Sequence, residues 1–210
     1  MRTGKFTASE VWKLFVEGRK GMSETAKSYI FEKAVEEMTG FRKRFTSKEM
    51  EHGIIHERDA FEAFKNITKQ DWIHTGDTYI PINEYSGASP DAILMDGLET
   101  IAVADFKCPQ PLTFFERKKD WIDGDPVDKN YYYQVQMQMM AANCEVGFLV
   151  YYLAEEFGNT YTGEVEFRFE LPLEQRIFII QINKNQEIWD KIKEKTFQAN
   201  EFKNQIIKTI

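Results

Sequence analysis

Two acids and a lysine stand in the stretch SGASPDAILMDGLETIAVADFKCP: Asp91, Asp105 and Lys107. The separation of 14 between the acids suffices for one strand, a tight turn at Asp96-Gly97 and a return strand. Such a hairpin brings Asp91 beside Asp105 across the ladder. Two neighbouring carboxylates resist ionising together. A divalent cation relieves that repulsion, and Mg²⁺ is suited to hard oxygen ligands. Plainer readings stay open at this level: a turn-forming Pro-Asp pair for Asp91, and an edge salt bridge between Asp105 and Lys107.

Alternate residues of a strand share a face. In TIAVADFKCP, Ile101, Val103, Asp105 and Lys107 point one way, and Ala102, Ala104, Phe106 and Cys108 the other. A further acid comes from a helical signal. Met50, Ile54, Glu57, Phe61 and Phe64 recur by fours and threes and stack on one face. Glu57 thus occupies an apolar position, where a carboxylate needs a basic partner or a metal to remain charged. Together these groups suit phosphodiester hydrolysis assisted by one or two Mg²⁺ ions. Asp91 and Asp105 would bind metal, Glu57 would support a second ion or orient water, and the Phe106 carbonyl would complete a coordination sphere. Lys107 would act near the attacking water, as base or as electrostatic stabiliser of the transition state. His52 and His56 are four apart, but HGIIHE lacks the zincin order H-E-x-x-H and a third ligand, which disfavours catalytic zinc. Tyr131, Tyr132 and Tyr133 offer rings for stacking on bases. Three neighbours cannot share one helix face, so at least one belongs to the core.

Periodicity predicts the elements that must position these groups. Three helices come first: TASEVWKLF with a capping box of Thr7 and Glu10, SETAKSYIFEKAVEEMTG with a stop at Gly40, and TSKEMEHGIIHERDAFEAFKNI with a capping box of Thr46 and Glu49. TGDTYIPIN, SPDAIL and TIAVADFKCP then read as strands. The helix NYYYQVQMQMMAANC precedes the strands GFLVYYLA, EVEFRFEL and RIFIIQIN and an amphipathic helix from about Asn185 to Ile206. This order predicts an α/β (α+β) fold with a mixed central β-sheet flanked by helices. A length of 210 residues with no Pro/Gly-rich linker predicts a single domain over 1–210.

Composition narrows the function classes. Hydrophobic residues at 42% and charged residues at 29% are ordinary for a globular protein in water. No apolar run approaches the roughly 20 residues of a membrane span. MRTGKFTASEVW has no signal-peptide core, so a cytoplasmic location is expected. Two cysteines, Cys108 and Cys144, are too few for a Cys-rich metal or iron–sulfur site and are expected as reduced thiols. The net charge of −7 argues against a generally basic nucleic-acid surface. Metal-ligating acids weaken that argument, and basic clusters occur at Arg19-Lys20, Arg42-Lys43-Arg44 and Arg117-Lys118-Lys119.

Helical Glu57, then SPD at Asp91, then DFK from Asp105 to Lys107 resembles the PD-(D/E)XK nuclease superfamily. TASEV, HERDAFEAF, GASPDAIL, ADFKCP and YYQVQMQM are similar, in order and approximate spacing, to the phage lambda-type exonucleases of the YqaJ-like viral recombinase family. The resemblance implies a restriction-endonuclease-like core and a 5′→3′ exonuclease that needs Mg²⁺, with Mn²⁺ as a substitute. It implies double-stranded DNA ends as substrate, a single-strand annealing protein as partner and a homotrimer, in a bacterial or phage-infected cytosol. By that similarity Gln134 is the glutamine of the QVQ helix that touches the active site, and Arg19 and Ser28 bind the 5′-phosphate. Asp105 stands where lambda-type members often carry Glu, and QPLTFF keeps no basic residue that some relatives use there. An endonuclease or repair nuclease on this fold, and a non-catalytic DNA-end-binding protein, are the competing readings.

Overall fold

The structure is a computed structural model that describes residues 2–19, 21–42, 47–159, 164–168 and 170–210. Along the chain come β1 (Phe6–Thr7), a 3₁₀ helix (Ala8–Phe15), α1 (Glu24–Thr39), α2 (Lys48–Thr68), β2 (Ile73–His74), β3 (Ile80–Pro81) and β4 (Ser86–Ala88). Then follow β5 (Ala92–Asp96), β6 (Glu99–Lys107), α3 (Pro111–Asp123), α4 (Lys129–Ala142) and β7 (Val146–Tyr152). The chain ends with β8 (Glu156–Asn159), β9 (Glu164–Arg168), α5 (Leu173–Arg176), β10 (Ile177–Asn183) and α6 (Gln186–Thr209).

The central sheet is mixed, in the order β10-β7-β6-β5-β2. Its middle pair, β6 and β7, is parallel, and the neighbours β5 and β10 join antiparallel. Parallel neighbours need a long crossover, and α3 and α4 supply it. β6 is covered on both faces, and its residues Ala102 to Phe106 are buried without interruption. Ala102, Ala104, Phe106 and Cys108 pack with Ala60, Phe61 and Phe64 of α2, while Val103 packs with Phe114 of α3 and Val135 and Met139 of α4. Cys108 and Cys144 therefore sit in cores on opposite faces of the sheet. A third core joins the 3₁₀ helix, α1, α4 and α6. A small sheet β1-β4-β3 and a β8–β9 hairpin complete the architecture.

Local chemistry explains where the elements differ from the sequence reading. TASEVWKLF is a 3₁₀ helix whose N-cap Thr7 makes no side-chain cap. Thr7 is spent as a strand residue paired with Gly87, and Glu10 pairs with Lys13 at 2.6 Å and Lys33 at 3.5 Å. α2 is capped by Ser47, whose side chain accepts from Met50 N at 3.3 Å; Thr46 lies outside the described residues. TGDTYIPIN yields only the two-residue β3. The crossover helix α3 has no counterpart in the periodicity reading, although Pro111 opens it and Gly124, at φ 81, closes it. The α2 stripe is half exposed: Met50 is 51% and Ile54 66% accessible, and only Phe61 and Phe64 are in the core. Glu57 thus stands at the border between an exposed and a buried half-helix rather than within an apolar row. No described helix is long and apolar enough to cross a membrane.

Candidate active site

The β5–β6 hairpin forms as its Asp96-Gly97 turn suggests, with Ala92 opposite Ala104. One step further along that register, Asp91 faces Asp105. The Asp91 N–H donates to Ala104 O at 3.0 Å, and its carboxylate Oδ2 accepts from Phe106 N–H at 2.7 Å. Thr75 N–H donates to Asp91 O at 2.9 Å, which ties the start of β5 to the end of β2. Burial pushes the Asp91 carboxyl well above its ordinary range, and the charges of Asp105 and Glu57 push the same way. Lys107 and the Phe106 N–H oppose that shift.

Asp105 is 1% exposed and lies against α4. Its Oδ1 accepts from Gln134 Nε2 at 2.5 Å and from Gln138 Nε2 at 2.8 Å, residues one helical turn apart. Its Oδ2 is ion-paired with Lys107 Nζ at 2.7 Å. Lys107 also donates to Gln134 Oε1 at 3.3 Å and lies over the Tyr131 ring, 4.8 Å from its centroid. Burial works against the Lys107 charge, but Asp105 and Asp91 outweigh it, and the ammonium is held more firmly than an ordinary lysine. Glu57, on α2, approaches from the other side of the sheet with Oε1 3.0 Å from His74 Nε2. His74 in turn packs edge-on to Phe61, centroids 5.1 Å apart. Phe106 gives its N–H to Asp91 and its ring to the α2-side core.

Glu57, Asp91, Gln134 and Gln138 line a cleft of about 350 Å³, with Arg2, Thr7, Ser9 and Arg42 around them. Asp105 and Lys107 lie one layer deeper. Arg2 is anchored in the cleft: Nη2 donates to Asp77 O at 2.7 Å and to Ser89 Oγ, and Nη1 pairs with Asp77 Oδ1 at 3.3 Å. Arg19 and Ser28 are exposed and do not line this cleft. Of the basic clusters, Arg42 alone reaches it; Lys20, Lys43 and Arg44 lie outside the described residues. His52 is buried, which together with His56 lowers its pKa to about 4. Tyr133 is stacked on Phe15, so one of the three tyrosines does belong to the packing. Arg2, His74 and Gln138 carried no signal in the sequence reading, except that Gln138 continues the alternate-glutamine run QVQMQ.

Among the described residues, no group of three or more His, Cys, Asp or Glu side chains is arranged to hold a metal ion. The donors present are oxygens. Gln138 Oε1 is buried without accepting a hydrogen bond, Asp105 Oδ2 faces the Lys107 ammonium, and Asp91 and Asp105 repel one another. That donor set fits a hard divalent cation such as Mg²⁺, with water filling the remaining positions.

A family model described as the YqaJ-like viral recombinase domain matches residues 1–145. Among solved structures, an alkaline exonuclease from Laribacter hongkongensis superposes with a TM-score of 0.78 at 21% identity, covering 99% of this chain and 92% of that one. A complex of the same enzyme with dAMP gives 0.76 at 22% identity, over 99% and 92%. A phage-related exonuclease from Haemophilus somnus 129PT gives 0.76 at 20% identity, over 98% and 96%. At these identities the likeness establishes the fold. No curated protein matches the sequence. The family match spans most of the chain and takes in Glu57, the β5–β6 hairpin and the glutamine helix, and the protein belongs to the YqaJ-like viral recombinase family, with a PD-(D/E)XK-type core.

Proposed function

We propose that the protein is a Mg²⁺-dependent 5′→3′ exonuclease that degrades one strand of linear double-stranded DNA and leaves 3′ single-strand overhangs for phage-type recombination. The observation that carries this reading is the cluster of Asp91, Asp105, Lys107 and Gln134 at a cleft that also holds Arg2. The similar structures are exonucleases, one of them in complex with dAMP, which supports a nucleotide substrate.

Asp91 and Asp105 would hold the Mg²⁺, with Glu57 and the Phe106 carbonyl as further oxygen donors. The bound cation supplies a polarised phosphate and a more acidic water. Gln134 and Gln138 fix the Asp105 carboxylate through Oδ1, and the Lys107 ammonium holds its Oδ2. His74 holds one oxygen of Glu57 and so orients the other. A water oxygen attacks phosphorus and gives up its proton to surrounding water, the bond to the leaving sugar oxygen breaks and that oxygen takes up a proton, and negative charge builds on the phosphoryl oxygens in between. Lys107 stabilises that charge: with its pKa raised it carries its proton at neutral pH, which favours the electrostatic role over that of a base. Arg2 would contact a phosphate of the DNA, with Ser9 and Thr7 as hydroxyl partners along the same cleft. A homotrimer and a single-strand annealing partner belong to this proposal.

The test is a time course on 5′-phosphorylated linear duplex and on covalently closed circles, with and without chelator. Loss of linear substrate from its 5′ ends, sparing of circles and arrest by chelator are expected. Efficient cutting of circles would turn the assignment to an endonuclease, and DNA binding without turnover to an end-binding protein.

A further inference from the structure

We propose that Lys203 and Glu36 form a buried grip on Gly4 that positions Arg2 in the cleft, so that helix α6 serves the active site from outside the family-matched segment. The inference rests on the reading of Arg2 as a phosphate contact.

The grip takes both polar groups of the Gly4 backbone. Its N–H donates to Glu36 Oε2 at 3.0 Å, and its carbonyl accepts from Lys203 Nζ at 3.1 Å. Glu36 and Lys203 are each 2% exposed. Both are charge-compensated: Glu36 Oε1 meets the equally buried Lys33 at 2.7 Å, and Lys203 meets Glu37 Oε2 at 2.5 Å. Carrying these ions out of water is costly, and apolar side chains would join α1 to α6 without that cost. What the ions add is direction, a hold on a single peptide.

Gly4 suits the hold. It sits at φ +71, and a Cβ there would lie 2.8 Å from Glu37 Cβ and 3.1 Å from Glu37 Cα, so the segment rests against the α1 backbone. The residues on both sides of Gly4 belong to the cleft. Before it, Arg2 is tied into a turn by Lys5 N–H donating to Arg2 O at 3.1 Å. After it, Phe6 lies beneath the Lys203 ammonium, 5.6 Å from ring centroid to Nζ, and Thr7 and Ser9 line the wall. From Arg2 the hydrogen bonds run on to Ser89, whose carbonyl accepts from Gln138 at 3.2 Å, and so to Asp105.

The experiment uses the full chain and Lys203→Met, which keeps an unbranched apolar stem and removes the ammonium. Hydrogen exchange is measured on the peptide covering residues 2–7. kcat/KM is measured on 5′-phosphorylated and 5′-hydroxyl linear duplex, with Lys203→Met placed in both the parent and the Arg2→Ala background. Faster exchange over 2–7 is expected, with a loss of kcat/KM on phosphorylated ends on the order of tenfold to a hundredfold. In the Arg2→Ala background the same substitution should cost nothing further. Equal losses in both backgrounds, unchanged exchange, or an Arg2→Ala protein with parental rates would each overturn the proposal. If Lys203→Met does not fold, Gly4→Ala disturbs the same peptide from its other side and is judged by the same non-additivity. A parent protein without turnover would refute the nuclease reading, and the exchange result would still decide whether the grip exists.

Discussion

At the residue scale, Asp105 is the most constrained group of the site: 1% exposed, held by two glutamines on one oxygen and faced by an ammonium on the other. Asp105→Asn, Asp91→Asn and Lys107→Met are each expected to abolish cleavage of linear duplex while far-UV circular dichroism stays that of the parent. Asp91 makes a second, thermodynamic prediction. Its carboxyl titrates near 3.8 when unfolded and well above that when folded. Folding therefore takes up a proton in the intervening window, and metal-free stability falls as pH rises through it. Asp91→Asn should melt higher than the parent at neutral pH without metal, and the two should converge in acid; a lower melting point at neutral pH would refute the burial argument. Gln138→Leu removes a buried donor from Asp105 and from Ser89 O, and is expected to cost about 1–3 kcal/mol in denaturant unfolding. Asp91, Asp105 and Lys107 were legible because one hairpin joins them, and hairpin geometry follows from local spacing. Arg2, which lines the cleft, and His74, which bonds Glu57, were not, because tertiary routes that no periodicity records bring them there. Arg19 and Ser28 were placed by likeness of short strings, and they are exposed and do not line this cleft.

At the element scale, the site depends on how closely α4 approaches the sheet. A Cβ on Gly147 of β7 would lie 2.4 Å from Val135 Cγ1 of α4. The missing side chain lets the helix sink until Gln134 and Gln138 reach Asp105. Gly147→Ala should therefore lose about 1–3 kcal/mol through overpacking, and should lose turnover together with stability. Parental activity in a destabilised Gly147→Ala protein would separate the two. Four strands of the central sheet, β5, β6, β7 and β10, were readable from their β-branched and aromatic runs and α6 from its amphipathic spacing, whereas the two-residue β2 was not. α3 was missed because its exposed Leu112, Phe115 and Ile122 leave it without a clean apolar stripe. The capping-box reading of Thr7 failed because a neighbouring strand claimed that residue first.

At the scale of the whole molecule, binding of an ion to the folded state alone raises its stability, by about 2.7 kcal/mol at a hundred times Kd. Mg²⁺ is expected to raise the melting temperature of the parent and to leave an Asp91→Asn, Asp105→Asn double variant unmoved; equal shifts in both would place the ion elsewhere. The mixed-sheet architecture was legible from element order, whereas the alliance between the first residues and α6 is a product of closure in three dimensions. The parallel join of β6 to β7 carries one more consequence. The acids precede that crossover and their glutamines ride on its second helix, so the two sets meet only when the middle of the sheet zips shut. Heat inactivation should therefore track cooperative melting rather than precede it, and the amides of Val103 to Phe106 should be among the last to trade their protons with solvent.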